Sequence, residues 1–219
     1  MCKFNKIYPK QIAAQIHRGV GMKKLIKSIS FDQHEIINWI QELYEPIDLD
    51  PTYGKGNFYL SGRPKYCSDL NPECDCDTND YKHLPFKNNS LDIRAIMFDP
   101  PFLATTGPSL YKETGNVILK RFKYYRSETE LVSEYDAAIR EFSRILKPGK
   151  FLYFKCQDKV SGGKQYFTHN SIYNFAIKHD FVAEDLFVLL AKNRIVANWQ
   201  RKQKHARKYH CYFWVFRKR

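Results

Sequence analysis

Asp99-Pro100-Pro101-Phe102 stands at the end of the apolar run Ile93-Arg94-Ala95-Ile96-Met97-Phe98. A proline pair directly after a strand forces the preceding residue into extended backbone and stops the hydrogen-bond ladder. It leaves a carboxylate and an aromatic ring at the carboxyl edge of a sheet, where open α/β sheets bind ligands. Upstream, the short strand Ile47 to Leu49 runs into Asp50-Pro51-Thr52-Tyr53-Gly54-Lys55-Gly56-Asn57-Phe58, a second such edge. Its glycines let the backbone close around a nucleotide-like ligand. Tyr66-Cys67-Ser68 is the next strand and Asp69 ends it. Eleven positions lead from Asp69 to Asp80, too few for a helix plus a strand, so this crossover is abbreviated or completed further on.

Downstream, Ser127-x-x-Glu130 opens the most regular helix of the chain. Leu131, Tyr135, Ala138, Ile139, Phe142, Ile145 and Leu146 recur at steps of three and four, and Lys147-Pro148-Gly149 stops it. Phe151 to Phe154 follows as a strand, then a polar loop through Gly162-Gly163. A helix from Ser171 to His179 precedes strands near Phe187 to Leu190 and Tyr209 to Phe216. The alternation predicts an α/β fold: a doubly wound sheet, mostly parallel, with an antiparallel last strand. Residues 1 to 45 read as a helical segment. Asp32 caps a helix with Glu35 as its capping-box partner and Ile36, Ile37, Ile40 and Leu43 on one face, while Gln11 to Ile29 suggests two short helices and a turn. A DNA-reading helix-turn-helix is conceivable there, but its usual small-residue spacing is absent, and a helical cap beside the sheet is the plainer reading.

The chain of 219 residues suits one domain, with 46 to 219 forming its body. A net charge of +13 attracts polyanions, because each phosphate contact by Lys or Arg releases condensed counterions. The aromatic share of 16% is high, enough for base stacking as well as core. No stretch is apolar for the roughly 18 residues a membrane span needs, and no signal-peptide pattern opens the chain. The expectation is a soluble protein of the cytosol of a bacterium or of a virus-infected cell, without membrane partners. Cys67, Cys74 and Cys76 lie close together, but the paired C-x-x-C knuckles of structural zinc are missing, so no metal is expected and the thiols read as reduced.

The run Asp50-Pro51-Thr52-Tyr53-Gly54-Lys55-Gly56 followed by Asp99-Pro100-Pro101-Phe102, in this order, resembles the S-adenosylmethionine-dependent amino-methyltransferases that modify exocyclic amines of nucleobases. The resemblance covers 46 to 219 as a bare catalytic domain. It implies a class I methyltransferase fold with S-adenosylmethionine as cofactor, held by Asp50, Pro51, Thr52, Tyr53, Gly54 and Gly56. Many class I methyltransferases carry a further glycine where Thr52 stands. Asp69 resembles the acid that ends the second strand and accepts hydrogen bonds from ribose hydroxyls; its other reading is a helix cap beside Asn71-Pro72. Asp80 opens Asp80-Tyr81-Lys82-His83-Leu84-Pro85-Phe86, which is similar to the family segment whose acid contacts the cofactor's adenine amine. It reads equally as a turn acid. The helical start would flank the methionine end of the cofactor.

Exocyclic amines are poor nucleophiles because the nitrogen lone pair is delocalised into the ring. A site that methylates one must accept its two hydrogens and point the lone pair at the methyl group. The Asp99 carboxylate and the Pro100 carbonyl are the two acceptors that the resemblance implies, with Pro101 fixing the backbone and Phe102 stacking on the base. Phe98 or Tyr53 could share the stacking. A base inside a duplex cannot reach such a pocket, so the target flips out or starts single-stranded. Asp in the first position resembles adenine-N6 enzymes more than cytosine-N4 enzymes.

From Lys192 to Arg219 there are ten Lys or Arg and no acid. Arg201, Lys202, Lys204, Arg207 and Lys208, interleaved with Trp199, His205, Tyr209, His210 and Tyr212, read as a phosphate-tracking loop, or as a hairpin charged for solubility. Lys120, Arg121, Lys123 and Arg126 form a second basic cluster after the Asp99 loop, where the DNA enzymes keep a substrate-gripping segment. Lys155, Gln157 and Asp158 leave a strand at the same edge; one is a candidate for substrate contact, and a solvated loop is the plain reading. Cofactor loop before catalytic loop resembles the alpha and gamma arrangements of the family. No target-recognition domain is visible, so the expectation is short or relaxed specificity on DNA, or reading lent by a partner or a second copy. RNA is the nearest rival substrate, cytosine N4 the rival base, and a catalytically silent nucleic-acid-binding subunit the rival of another class.

Overall fold

The structure, a computed structural model, describes residues 25–60, 62–71, 73–89, 92–104, 125–161, 163–193 and 204–219. Its elements in chain order are β1 (Ile29–Ser30), α1 (Gln33–Leu43), β2 (Leu49–Asp50), β3 (Tyr66–Asp69), β4 (Asp77–Thr78), β5 (Ala95–Phe98), α2 (Glu128–Ile145), β6 (Phe151–Cys156), β7 (Lys159–Ser161), β8 (Lys164–Tyr166), α3 (Thr168–Lys178), β9 (Phe181–Leu190) and β10 (His210–Lys218). Eight strands form one sheet in the order β1-β9-β10-β6-β5-β2-β3-β4, and β7 pairs with β8 as a separate hairpin. All pairs in the large sheet are parallel except those of β10, which runs antiparallel to both β6 and β9. This is the doubly wound α/β sheet, mostly parallel with an antiparallel last strand, that the alternation of elements predicts.

The order fixes where a ligand crevice opens. From β2 the chain steps outward to β3 and β4, then returns to β5 on the other side of β2 and steps away through β6. Crossovers leave in opposite directions on either side of the β2/β5 boundary, and the gap beyond the carboxyl ends of those two strands is the switch point of an open sheet. Asp50 ends β2 and Asp99 follows β5 directly.

β5 and β6 are buried on both faces, which explains their continuous apolar runs. On one face, Phe98 meets Phe142 of α2 at 4.9 Å, Phe154 at 5.0 Å and Tyr81 at 5.1 Å between ring centroids. The predicted stripe on α2 lies wholly in this core. On the other face, Ile36, Ile37 and Ile40 of α1 pack against Ala95, Met97, Tyr153, Phe213 and Val215. Phe98 has no exposed surface, so its suggested stacking on a base is excluded.

Both helix caps differ from the pattern in one respect. Asp32 accepts from the His34 amide at 2.8 Å as a cap should, but Glu35 accepts from the Ser30 hydroxyl at 2.6 Å, and that hydroxyl in turn accepts from the Asp32 amide. Ser127 accepts from the Glu130 amide at 3.0 Å, while the Glu130 carboxylate takes the Arg126 amide. Ile29–Ser30 extends the sheet edge beside β9, where helix is expected from the sequence, and the polar loop after β6 is the β7/β8 hairpin, turning through Gly163 at φ +71. The crossover from β3 to β4 is abbreviated as expected, without a helix. Most of the Gln11 to Ile29 stretch lies outside the described residues. No described helix is long and apolar enough to cross a membrane.

Candidate active site

The two strand-end acids are joined by a short relay. The Asp99 amide donates to Thr52 Oγ1 at 2.9 Å, and the Thr52 hydroxyl donates to Asp50 Oδ1 at 3.1 Å. Asp50 also accepts from the Thr52 amide at 2.8 Å and from the Tyr59 hydroxyl at 2.6 Å, and it is fully buried. Burial pushes its carboxyl up to about 7 against those hydrogen bonds. Pro51 is buried beside it. The same Tyr59 contact pushes the phenol far above its ordinary range, after burial itself.

Between Asp50 and Tyr59 the loop turns twice. Gly54 (φ +55) and Gly56 (φ +69) adopt the left-handed region that side chains disfavour, and a Cβ on Gly56 would lie 2.5 Å from the Tyr53 hydroxyl. Tyr53 stacks on Tyr59 with centroids 5.9 Å apart and carries the Arg63 guanidinium at 5.2 Å, so it belongs to the wall of the loop. Asp69, at the end of β3, accepts from the Gly54 amide at 3.1 Å and from the Asn71 amide at 2.8 Å. These bonds hold the glycine turn against the next strand. Asp80 accepts from the Lys82 amide at 2.9 Å and pairs with Lys82 Nζ at 3.7 Å, the behaviour of a turn acid, and Lys82 is itself tied to Glu134.

The segment Asp99 to Phe102 is anchored at alternate points. Tyr135 of α2 donates to the Pro101 carbonyl at 2.7 Å, and Lys159 Nζ donates to the Phe102 carbonyl at 2.8 Å while pairing with Glu128 at 3.0 Å. Burial pulls the Lys159 ammonium down, opposed by Glu128. Pro100 is buried. No described residue donates to the Pro100 carbonyl or to Asp99 Oδ1. Asp99 Oδ2 receives Lys155 Nζ at 3.2 Å. Burial raises the Asp99 carboxyl above its usual range, and the charge of Lys155 opposes that rise.

Reading Lys155 and Asp158 as a solvated loop is overturned. Lys155 is 9% exposed and Asp158 3%. Asp158 accepts from the His169 amide at 3.2 Å and lies 2.8 Å from His169 Nδ1, and Gln157 donates to the His210 carbonyl at 3.0 Å. Tyr59, like Lys159 and Glu128, has no sequence assignment. Its only signal is a phenol following the second glycine by three positions.

β10 starts where β6 ends, with Tyr212 opposite Cys156, so the loop from β9 enters β10 on the Asp99 edge of the sheet. Within it His205 Nε2 lies 2.9 Å from the Gly163 carbonyl. Lys204 is exposed and Arg207 and Lys208 are half-buried; Arg201 and Lys202 lie outside the described residues. Lys120, Arg121 and Lys123 do as well, and Arg126 is exposed just before α2. Ala104 bridges Tyr125, whose amide donates to the Leu103 carbonyl at 2.9 Å, so the chain leaves and re-enters beside Phe102. Among the described residues no group of His, Cys, Asp and Glu could hold a metal ion.

No family model and no curated protein matches the sequence. Solved structures do. A Thermus thermophilus protein provisionally described as a DNA modification methylase is 17% identical over 64% of this chain and 52% of its own, with a TM-score of 0.43. TrmN from Thermus thermophilus is 13% identical over 84% of this chain and 48% of its own, with a TM-score of 0.46. The N-methyltransferase NodS from Bradyrhizobium japonicum, in complex with S-adenosyl-L-homocysteine, is 8% identical over 85% of each chain, with a TM-score of 0.48. The chain spans about half the length of the first two of these proteins.

Proposed function

We propose that this chain transfers a methyl group from S-adenosylmethionine to the exocyclic N6 amine of adenine in DNA, at single-stranded or flipped-out bases with short or relaxed sequence specificity. One observation carries the reading. Of the acceptors around Asp99-Pro100-Pro101-Phe102, the Pro101 and Phe102 carbonyls are taken by Tyr135 and Lys159, whereas Asp99 Oδ1 and the Pro100 carbonyl have no donor among the described residues. An amine has two hydrogens to place, and these are two adjacent acceptors on a proline-stiffened turn.

The glycine loop and the acid at the end of β3 fit the methyl donor. Asp69, half-buried there, is an acceptor for ribose hydroxyls, whereas Asp50, fully buried with its oxygens taken by Thr52 and Tyr59, shapes the loop from behind and does not touch the donor. A Cβ at Gly54 would meet nothing nearer than the Thr52 carbonyl at 3.9 Å, so the turn is open on that side. When bound, S-adenosylmethionine supplies an electrophilic methyl group. The protein's part is orientation. Asp99 Oδ1 and the Pro100 carbonyl accept the two amine hydrogens, drawing the nitrogen out of conjugation with the ring and turning its lone pair toward the methyl carbon. Thr52 holds the Asp99 backbone while this happens, and the positioning of two bound reactants is the largest contribution such a site can make. Phe102, half-buried at the mouth, stacks on the extruded base, worth about 1–3 kcal/mol against an extrusion cost of a few kcal/mol. The nitrogen's proton leaves to solvent after transfer; no covalent intermediate with the protein is needed. Basic residues on the same edge, Lys204, Arg207 and Lys208, hold phosphate.

Tritiated methyl transfer to single-stranded DNA, duplex DNA and RNA in parallel, followed by nucleoside analysis, tests the reading. N6-methyladenine in DNA is expected, and Asp99→Ala abolishes transfer while polymer binding stays within about twofold, since the phosphate contacts lie elsewhere. Label in RNA, or on cytosine N4, replaces the substrate assigned here. A chain that binds polymer but gives no heat with S-adenosylmethionine in calorimetry is a silent subunit instead.

A further inference from the structure

Lys155 interrupts a run that should be core throughout. In Phe151-Leu152-Tyr153-Phe154-Lys155-Cys156 the residues alternate between two buried faces of a central strand, and Lys155 shares its face with Tyr153 and pairs across to Phe213 on β10. An ammonium at such a place is costly unless its charge and hydrogens are met. Here they are. Nζ donates to Gln33 Oε1 at 2.9 Å and to Asp99 Oδ2 at 3.2 Å, and it lies 4.8 Å from the Phe58 ring centroid, 5.6 Å from Phe102 and 5.7 Å from Phe213. Only 11% of the lysine side chain and 20% of the Asp99 side chain reach solvent.

We infer that Lys155 is a positioning residue for the proposed amine methylation: it keeps Asp99 ionised and pins Oδ2, so that Oδ1 is the atom offered to the substrate. The inference rests on that functional reading and refines it. A protonated Asp99 would carry an O–H donor where the amine hydrogen needs an acceptor, so the charge state decides whether the site can work at all. Burial favours the protonated form, and the other titratable groups facing Asp99, which are Asp50 and Tyr59 on the β2 side, Tyr135 on α2 and Cys156 on β6, can only add to that pressure when charged. Lys155 is the one described cation that opposes it. The three rings limit the access of water to the pair, which reduces the screening of its attraction. The geometry completes the assignment, because the Asp99 amide is held by Thr52 and Oδ2 by Lys155, leaving one oxygen and one orientation.

The test is a titration of the full chain labelled at its aspartate carboxyl carbons, followed by NMR, with the Asp99 resonance assigned by its loss in Asp99→Asn. In Lys155→Met the Asp99 midpoint moves to higher pH, and in Lys155→Arg, which restores the cation, it returns toward the wild-type position. In parallel, the ratio of single-turnover methylation rates on single-stranded DNA at about pH 8.5 and about pH 6 rises about tenfold in Lys155→Met and not in Lys155→Arg. A Lys155→Met protein with wild-type melting and donor affinity, an unmoved Asp99 midpoint and an unchanged rate ratio overturns the inference. If Lys155→Met does not fold, Lys155→Gln, which keeps a donor but no charge, carries the same expectations. If the wild type methylates no polymer, the functional reading falls, and the carboxyl titration still decides whether Lys155 sets the charge on Asp99.

Discussion

Replacing Thr52 by valine keeps the shape of the side chain and removes one hydroxyl, and that hydroxyl makes both links of the relay between the loops. The Asp99 amide, which donates to Oγ1 at 2.9 Å, loses its partner, and leaving such a part-buried donor unmet costs about 1–3 kcal/mol. Asp50 loses less. It gives up a hydroxyl donor at 3.1 Å, worth about 0.5–1.5 kcal/mol, but keeps the amide of residue 52 at 2.8 Å and Tyr59 at 2.6 Å. The sum is a loss of about 1.5–4.5 kcal/mol, read as a lower urea midpoint at unchanged slope. Because the Asp99 backbone is then free to shift, methyl transfer falls by about a hundredfold, the scale of a misplacement near 1 Å. Thr52→Ser retains the hydroxyl and recovers most of both losses. Valine leaving stability within about 0.5 kcal/mol of wild type, or serine costing as much as valine, refutes the relay.

Two further perturbations probe the frame around the site. Asp50, pushed up to about 7 by burial from an unfolded value near 3.8, binds its proton more tightly when folded, so its contribution is full below about pH 4 and is lost as pH rises through 7. Between about pH 5 and 7 stability declines by up to about 1.4 kcal/mol per pH unit on this account, and Asp50→Asn flattens the slope; a slope that survives the substitution unchanged refutes it. Asp48, where the bonds and charge of Arg94 outweigh burial, and Asp136, where Lys178 and His179 do the same, are lowered and so act at more acid pH, outside that window. Arg144 holds Glu141 at 2.6 Å and the carbonyl of Phe86 at 2.7 Å, and Glu141 takes the Leu84 amide at 2.8 Å. Arg144→Ala costs about 2–3 kcal/mol, below the figure for a fully buried pair because a third of the arginine is exposed, and limited proteolysis then cuts first in 83–89; uniform cutting speaks against the clamp.

What could be read from the sequence was whatever a short window contains. The proline pair after Phe98 dictates a strand exit by sterics alone, and the apolar steps from Leu131 to Ile145 dictate which face of α2 is covered. Strands of two residues have no periodicity to detect, and each exists because a longer neighbour offers its ladder: β1 and β4 leave no sequence signal, and β2, read as Ile47 to Leu49, is marked only by the proline-glycine loop that follows it. Lys155 was legible only in part. Its place two residues after Tyr153 puts it on a buried face, but Phe58, Phe102, Gln33 and Asp99, which make that face tolerable to a charge, are distant from it in the chain. Asp158 was hidden for a similar reason: His169, which satisfies it, lies beyond a hairpin. Gly162-Gly163 carried the hairpin signal, and polar composition masked it.

The relay also explains why a fully buried acid is kept at the end of β2. An apolar residue there would remove the buried carboxylate's cost but leave the Tyr59 hydroxyl and the Thr52 amide and hydroxyl without acceptors. With Asp50 in place, one carboxylate fixes both ends of the glycine loop, through Thr52 at its start and Tyr59 at its finish. Through Thr52 it also fixes the amide of Asp99. Any ligand that orders or distorts the loop therefore acts on the position of Asp99 by way of two hydrogen bonds. On the proposed function these bonds couple donor binding to the geometry of the acceptor pair, and by linkage the coupling is reciprocal. Single-stranded DNA is expected to shift the S-adenosylmethionine affinity of the wild type in calorimetry, and Thr52→Val is expected to make that affinity indifferent to DNA. A shift that persists undiminished in Thr52→Val would mean that the two loops communicate by another route.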